Sequence, residues 1–449
     1  MNFKRKLWWV QHKNEVYKYS TFILLFIIVT ISIIYFTYSK FTSKNEMTMY
    51  ETTVEPFIKN DYFIASYING EWSNEIPGKN DGYVVDKIVC DNGAVGTWNN
   101  EEWGINIRNA TQKIKCSVFF KQATMVEQIT TISLTDTTSF AIDDPNNNIR
   151  YIGANPNNYV YFNCSDYSNQ SDSTCEKWRI IGVFKNVTKS DGTKEDLVKI
   201  IRNDVIENVA WDDGTATTEA QNMRKSKLNA SILSLQQSSL NSYKVEFMAP
   251  DLGASGANDW SNASLKSILN GTYYNGTYAT GAFKNDSTRN AIESVIWNLG
   301  SSSTADDVTA SMFYERERGT TVYSGRPTTW TGKIGLMYPS DYGYATAGGS
   351  TTNRSICLTT SMSSWNESGV TDCMNNDYLY KSSYGTQWTL TSPSFYSDSA
   401  FFVYASGHVT SFKVGGFASA RPAAFLKSNI SITDVGKGTA ESPYQLSVQ

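Results

Sequence analysis

Six cysteines and two histidines set much of the chemistry open to this chain. The cysteines fall in near-neighbour couples, Cys90 with Cys116, Cys164 with Cys175 and Cys357 with Cys373. None forms a C-x-x-C and none has a histidine nearby in sequence, so disulfides in an oxidising compartment are expected rather than a thiolate metal site or a catalytic thiol. Local pairing is the simplest arrangement, and each loop closed this way contributes about 3 kcal/mol. His12 and His408 are too few for a histidine-based metal centre or for much acid–base machinery. Paired carboxylates could hydrolyse a glycoside without histidine, but Asp and Glu are scattered over loops and no spacing selects a pair. Asp143-Asp144-Pro145-Asn146 and Asp372 with Asn375-Asn376-Asp377 are rich in the oxygens calcium needs, yet in a chain so full of Asn, Ser and Asp such runs chiefly make turns. No metal or cofactor is expected.

Aromatic residues remain, 12 Trp, 27 Tyr and 21 Phe. Trp388, Phe395, Tyr396, Phe402, Tyr404, His408 and Phe417 gather near the C-terminus, where flat rings could meet sugar faces or peptide side chains. Alternation along a strand turns about half of such rings into the core. Tyr396, Tyr404 and His408 lie nearest a loop and a turn, and are the expected ligand-binding residues.

These residues need positioning elements. Residues 19–39 carry no charge and would span about 31 Å as a helix, against a bilayer core of about 30 Å. Lys4, Arg5, Lys6, Lys13 and Lys18 precede them, so the expectation is a transmembrane helix, a cytoplasmic stub over 1–18, a stalk over 40–54 and an extracellular remainder. That remainder carries about −8 and has no basic stripe, which argues against nucleic acid as a partner. Residues 55–122 hold about four short alternating segments between turn residues, predicting a small all-β sandwich resembling the immunoglobulin-like modules of bacterial surface proteins. Residues 123–148 form a linker, in which 129–134 could be helix or strand. A larger domain, 149–432, opens with strands at 149–152 and 159–162 and a hairpin of 178–184 with 197–202. Helices are predicted at 261–269 and 291–298, and Arg316-Glu317-Arg318 is predicted to be a solvated face. Strands follow at 334–338, 387–390 and 423–426, with a hairpin of 400–405 and 408–414 turning at Ser406-Gly407. The tail, 433–449, could add an edge strand through Tyr444 and Leu446.

Four motifs in order carry a family resemblance. Trp178-Arg179-Ile180-Ile181-Gly182-Val183, then Trp260, Leu265, Leu269 and Asn270, then Trp388-Thr389-Leu390-Thr391-Ser392-Pro393, then Gly415-Gly416-Phe417 with Arg421-Pro422-Ala423, resemble the bacterial C-type-lectin-like domains. Relatives of the formylglycine-generating enzyme and the variable proteins of diversity-generating retroelements belong to that superfamily. The sequence departs at Ala263, where the helix motif has Ser, and at Ala418-Ser419-Ala420, which separate Phe417 from Arg421. Trp365-Asn366-Glu367 only distantly resembles the Trp-Asn-Asp motif of calcium-dependent lectins. The resemblance implies an α+β C-type-lectin-like domain that binds an extracellular glycan or protein, adhesin- or receptor-like rather than enzymatic. A formylglycine-generating-enzyme-like catalyst would require Cys357 or Cys373 as a free thiol, and a pilin-like envelope subunit would require polymerisation. Arg421 is expected to be a structural arginine.

Overall fold

The computed structural model describes residues 13, 14, 20, 24–30, 62–68, 70–73, 75–79, 81–214, 256–304, 307–433 and 436–448. Among the described residues no helix is long and apolar enough to cross a membrane. Of the segment 19–39, residues 20 and 24–30 are described. The expected transmembrane helix at 19–39, its single-pass placement and its lipid partner are therefore corrected. The rest of 1–54 lies outside the described residues, apart from 13 and 14.

The chain divides into two units, Met1–Lys79 with Val85–Phe120, and Asn80–Val84 with Lys121–Gln449. The first is built from β1 (Tyr62–Ile68), β2 (Glu71–Ser73), β3 (Tyr83–Cys90), β4 (Val95–Asn99), β5 (Gly104–Arg108) and β6 (Ile114–Gln122). Its sheet runs β2-β1-β6-β3, with β4 and β5 as a separate antiparallel hairpin. β1 and β6 are parallel, in register from Tyr62↔Ile114 to Tyr67↔Phe119. The expected all-β sandwich is thus a mixed sheet with a hairpin. Among the described residues its buried cluster is Ala94, Ile114 and Cys116, ringed by Cys90, Ile105, Ile107 and Ala110, with Ala65 of β1 and Val118 and Phe120 of β6 also buried. A core this small gains substantially from a cross-link, and the Cys90–Cys116 disulfide joins β3 to β6 at its centre.

The second unit opens with α1 (Met125–Ser133), which settles the ambiguity over 129–134. Thr124 caps it: its hydroxyl accepts the Glu127 N–H, and the Glu127 carboxylate accepts the Thr124 N–H at 2.8 Å. Met125 and Ile129, four apart, then face the core.

The larger sheet combines β7 (Phe140–Ala141), β8 (Ile149–Tyr151), β9 (Tyr159–Phe162), β10 (Glu176–Thr188) and β11 (Lys194–Arg202) with two later strands. β10 and β11 read as near-continuous Ile, Val and Leu because both of their faces are covered. Gly182 sits at a register shift where β8 crosses so closely that a Cβ would strike the Ile149 carbonyl. After β12 (Asn208–Ala210), the helix expected over 261–269 is α2 (Ser264–Ile268), continued by a π turn over Leu269–Tyr273.

The helix expected at 291–298 is a correction. α3 (Asp286–Asn290), capped by Asn285, comes earlier, and β13 (Val295–Asn298) is a strand. Trp297 pairs across to Trp330, and Val295 and Trp297 alternate inward, so a period of two, set by a distant partner, overrides the helix-like spacing of Ile292, Val295 and Ile296.

α4 (Ala310–Glu317) corrects another expectation, since Glu317 is fully buried and not part of a solvated face. β14 (Thr329–Gly332), β15 (Ile334–Gly335), α5 (Pro339–Ala345), α6 (Arg354–Thr359) and α7 (Asp372–Asn375) follow. The C-terminal strands are β16 (Gln387–Trp388), β17 (Ser399–Val403), β18 (Val409–Lys413), β19 (Phe417–Ser419), β20 (Ala423–Phe425), β21 (Ser431–Ile432) and β22 (Leu446–Ser447). β15 and β20 complete the larger sheet in the order β15-β20-β11-β10-β8-β7, and a second sheet runs β12-β19-β16-β17-β18. The described architecture is therefore β-sheets with a few short helices. The tail is integrated: β22 pairs β21, and Tyr444 bridges to Val160.

Candidate functional site

β17 and β18 form the hairpin that carries the aromatic cluster, in register from Ser399↔Lys413 to Val403↔Val409. Gly407 makes the turn at φ +88°, where any side chain would be strained and a Cβ would run into Met374. Alternation divides the rings. Phe401 points inward against Phe313 of α4, ring centroids 5.1 Å apart. Phe402 points the other way, against Trp388 at 5.8 Å, Tyr404 at 6.0 Å and Phe412 at 6.3 Å.

On this second face lies a groove open to solvent, with about 300 Å³ of empty volume. Trp388 and Phe402, 2% and 3% exposed, form its floor. Tyr404, Phe412, Phe417 and Thr386 form its walls. The floor is rigid because the Trp388 indole N–H donates to the Val209 carbonyl at 2.8 Å. Among the described residues no charged side chain lines the groove, so its chemistry there is apolar faces bordered by two hydroxyl groups.

The expected site residues separate. Tyr404 and His408 come together, rings 5.1 Å apart, with the His408 Nδ1 3.0 Å from the Ser406 hydroxyl. Burial holds the His408 pKa below its ordinary value. Of the two, Tyr404 lines the groove and His408 braces it. Tyr396 lies elsewhere, 53% exposed and packed on Phe395, in a loop whose Pro393 and Tyr396 carbonyls accept the Asn258 amide. Thr386 and Phe412 were missed. Phe412 could have been found, because in 408–414 it shares a face with Thr410 by simple alternation; Thr386 precedes its strand and had no pattern to mark it.

No protein-family model, no curated protein and no solved structure matches this chain. The geometry of the groove therefore carries the functional argument by itself.

Other chemistry can be weighed against it. All six cysteines are bonded, Cys90–Cys116, Cys164–Cys175 and Cys357–Cys373, so the free thiol required by a formylglycine-generating-enzyme-like reaction is tied up. Among the described residues no three His, Cys, Asp or Glu side chains converge as metal ligands would. The oxygen-rich runs have structural partners: Asp144 binds Arg150, and Asp372 accepts the Thr351 and Thr352 N–H groups. A polar cleft of about 760 Å³ contains Glu176, Lys284 and Arg289, but Glu176 pairs with Arg202, Arg289 with Asp286, and Lys284 donates to the Thr174 carbonyl. Arg421 is buried, donating to the Arg202 and Leu379 carbonyls and the Gln387 side chain, which is a structural role.

The strongest electrostatic feature is a buried ionic layer that the sequence did not announce. Arg150 of β8 bridges Asp144 and Asp341, each at 2.8 Å, and Lys199 of β11 meets Asp341 of α5 at 2.5 Å. Burial pushes the Lys199 pKa down to about 8. Burial also drives Glu317 up to about 7, against the opposing pull of Arg318 and two Ser340 hydrogen bonds. For Asp341 burial acts upward, but the adjacent Lys199 and Arg150 charges prevail and hold it below the usual carboxylate value. The groove and this layer are separate sites, one open and uncharged, the other closed and charged.

Proposed function

We propose that the second unit is a binding module that takes the ring face of an extracellular glycan in the groove of Trp388, Phe402, Tyr404, Phe412 and Phe417. The observation that carries this reading is an uncharged aromatic groove with a rigid floor. Of its empty volume, which includes open solvent, only about 20 Å³ has room for a water-sized sphere, so the groove is a shallow aromatic surface on which a sugar ring would stack, not a pocket that would enclose one. Three disulfides are compatible with an extracellular ligand. The likeness to bacterial C-type-lectin-like domains supports the same reading: Trp178, Trp260 and Trp388, one from each of three motifs, are all buried in the second unit.

A glycan array probed with the purified chain, followed by titration of the best glycan against Tyr404→Ala and Phe412→Ala, tests the proposal. Each variant is expected to lose at least about tenfold in affinity, about 1.4 kcal/mol. Wild-type affinity in both variants would move the ligand off this face. Binding to a protein array with no glycan bound would replace the sugar by a protein partner.

A further inference from the structure

Within the buried ionic layer, Lys199 and Asp341 are the pair that joins a primary amine to a carboxylate. Both side chains are fully buried, and they come from β11 and α5, 142 residues apart in sequence. The Lys199 Nζ is enclosed by rings, with the centroids of Tyr338 at 4.3 Å, Trp297 at 5.1 Å, and Phe184 and Phe425 at 5.5 Å. Its hydrogen bond goes to Asp341 Oδ2, which also accepts the Tyr338 N–H at 2.9 Å. Asp341 Oδ1 accepts from Arg150 Nη1 at 2.8 Å. Ser340, the preceding residue, donates both its backbone N–H and its hydroxyl to the buried carboxylate of Glu317. An amine, a carboxyl group and a cation on the oxygen that would remain are thus assembled in a buried, aromatic site.

We infer that Lys199 and Asp341 condense within the folded chain into an amide cross-link between β11 and α5. The Nζ–Cγ bond forms and the Cγ–Oδ2 bond breaks. Two of the three protons on the ammonium leave with Oδ2 as water, so the ion pair becomes a neutral amide and no oxidant, cofactor or external proton is consumed. Arg150 Nη1 sits on Oδ1, where negative charge develops in the tetrahedral intermediate. Asp341 Oδ2, which already accepts the Lys199 hydrogen bond, takes the amine protons directly as it departs. Burial lowers the Lys199 pKa to about 8, which brings the neutral amine needed for attack within reach.

The driving force comes from the site. Two charges held without water impose a desolvation cost, and a neutral amide with the same atoms removes it. Groups fixed in contact react with effective concentrations of about 10⁵ to 10⁸ M, which overcomes the usual reluctance of an amine and a carboxylate to condense in water.

The test is the mass of the intact full-length chain after its disulfides are reduced. The expected value is one water below that of the sequence, and proteolysis is expected to release one branched peptide containing both Lys199 and Asp341. A chain at full sequence mass, or one that has lost water at another position, would overturn the cross-link. Lys199→Arg is expected to restore the full mass.

Discussion

β17 and β18 present two aromatic faces built by the same alternation, and the two faces have different fates. On the inner face Phe401 is sealed against Phe313 of α4, and one turn further along that helix Glu317 is carried into the ionic layer. On the outer face Phe402 and Trp388 are almost as buried, yet the rings around them leave a groove. Nearly equal burial therefore does not mean equal function. What separates the faces is that α4 packs against the inner rings while the outer rings border an open groove, and this sets where mutation should cost stability and where it should cost binding.

The largest effect is expected inside. Phe401→Ala should destabilise the unit by about 3 to 5 kcal/mol, measured by urea unfolding, because the space against α4 cannot close. A loss below about 1 kcal/mol would mean that the inner face is not a sealed core. Next comes Glu317. Its pKa is raised from 4.5 to about 7, so the folded chain holds a proton that the unfolded chain gives up between those values. The stability it contributes is complete below about pH 4.5 and is lost as the pH rises through about 7, a swing of about 3 kcal/mol. Comparing Glu317→Gln with wild type by urea unfolding at pH 5 and pH 7.5 should show the variant gaining relative stability at the higher pH; no difference would place this carboxylate in a wet environment, and the opposite sign would mean that Arg318 and the Ser340 hydrogen bonds outweigh burial. Gly407→Ala, at the turn both faces share, should cost about 2 kcal/mol through its positive φ and the collision with Met374, read as a lowered thermal midpoint. The smallest change in stability, about 1 kcal/mol or less, is expected for Phe412→Ala, even though glycan binding should fall at least about tenfold. A stability loss equal to that of Phe401→Ala would erase the distinction between the faces.

The hairpin was legible because strand alternation and a turn glycine are local signals. The 178–184 and 197–202 hairpin became β10 and β11, and 400–405 with 408–414 became β17 and β18. Val295–Asn298 was not legible as a strand, because the strand depends on Trp330 more than thirty residues later. Glu317 looked like a surface residue between two arginines, and only the arrival of Ser340 explains its burial. Asp144 lay in what read as a turn; its carboxylate does accept turn N–H groups, but its binding of Arg150 at 2.8 Å could not be foreseen. Of the residues expected to bind, Tyr404 lines the groove, His408 packs on its ring, and Tyr396 lies in a different loop. Local periodicity thus located the rings, while the partners that cover or expose them are long-range and left no trace in spacing.

The parallel pairing of β1 with β6 in the first unit also bears on mechanics. Among the described residues these are that unit's first and last strands, matched over six successive residue pairs. Tension applied to the start of β1 and the end of β6 would drag the two strands past each other lengthwise. The hydrogen bonds between them would then share the load together rather than opening one by one, so this small unit is built to resist being pulled from its ends.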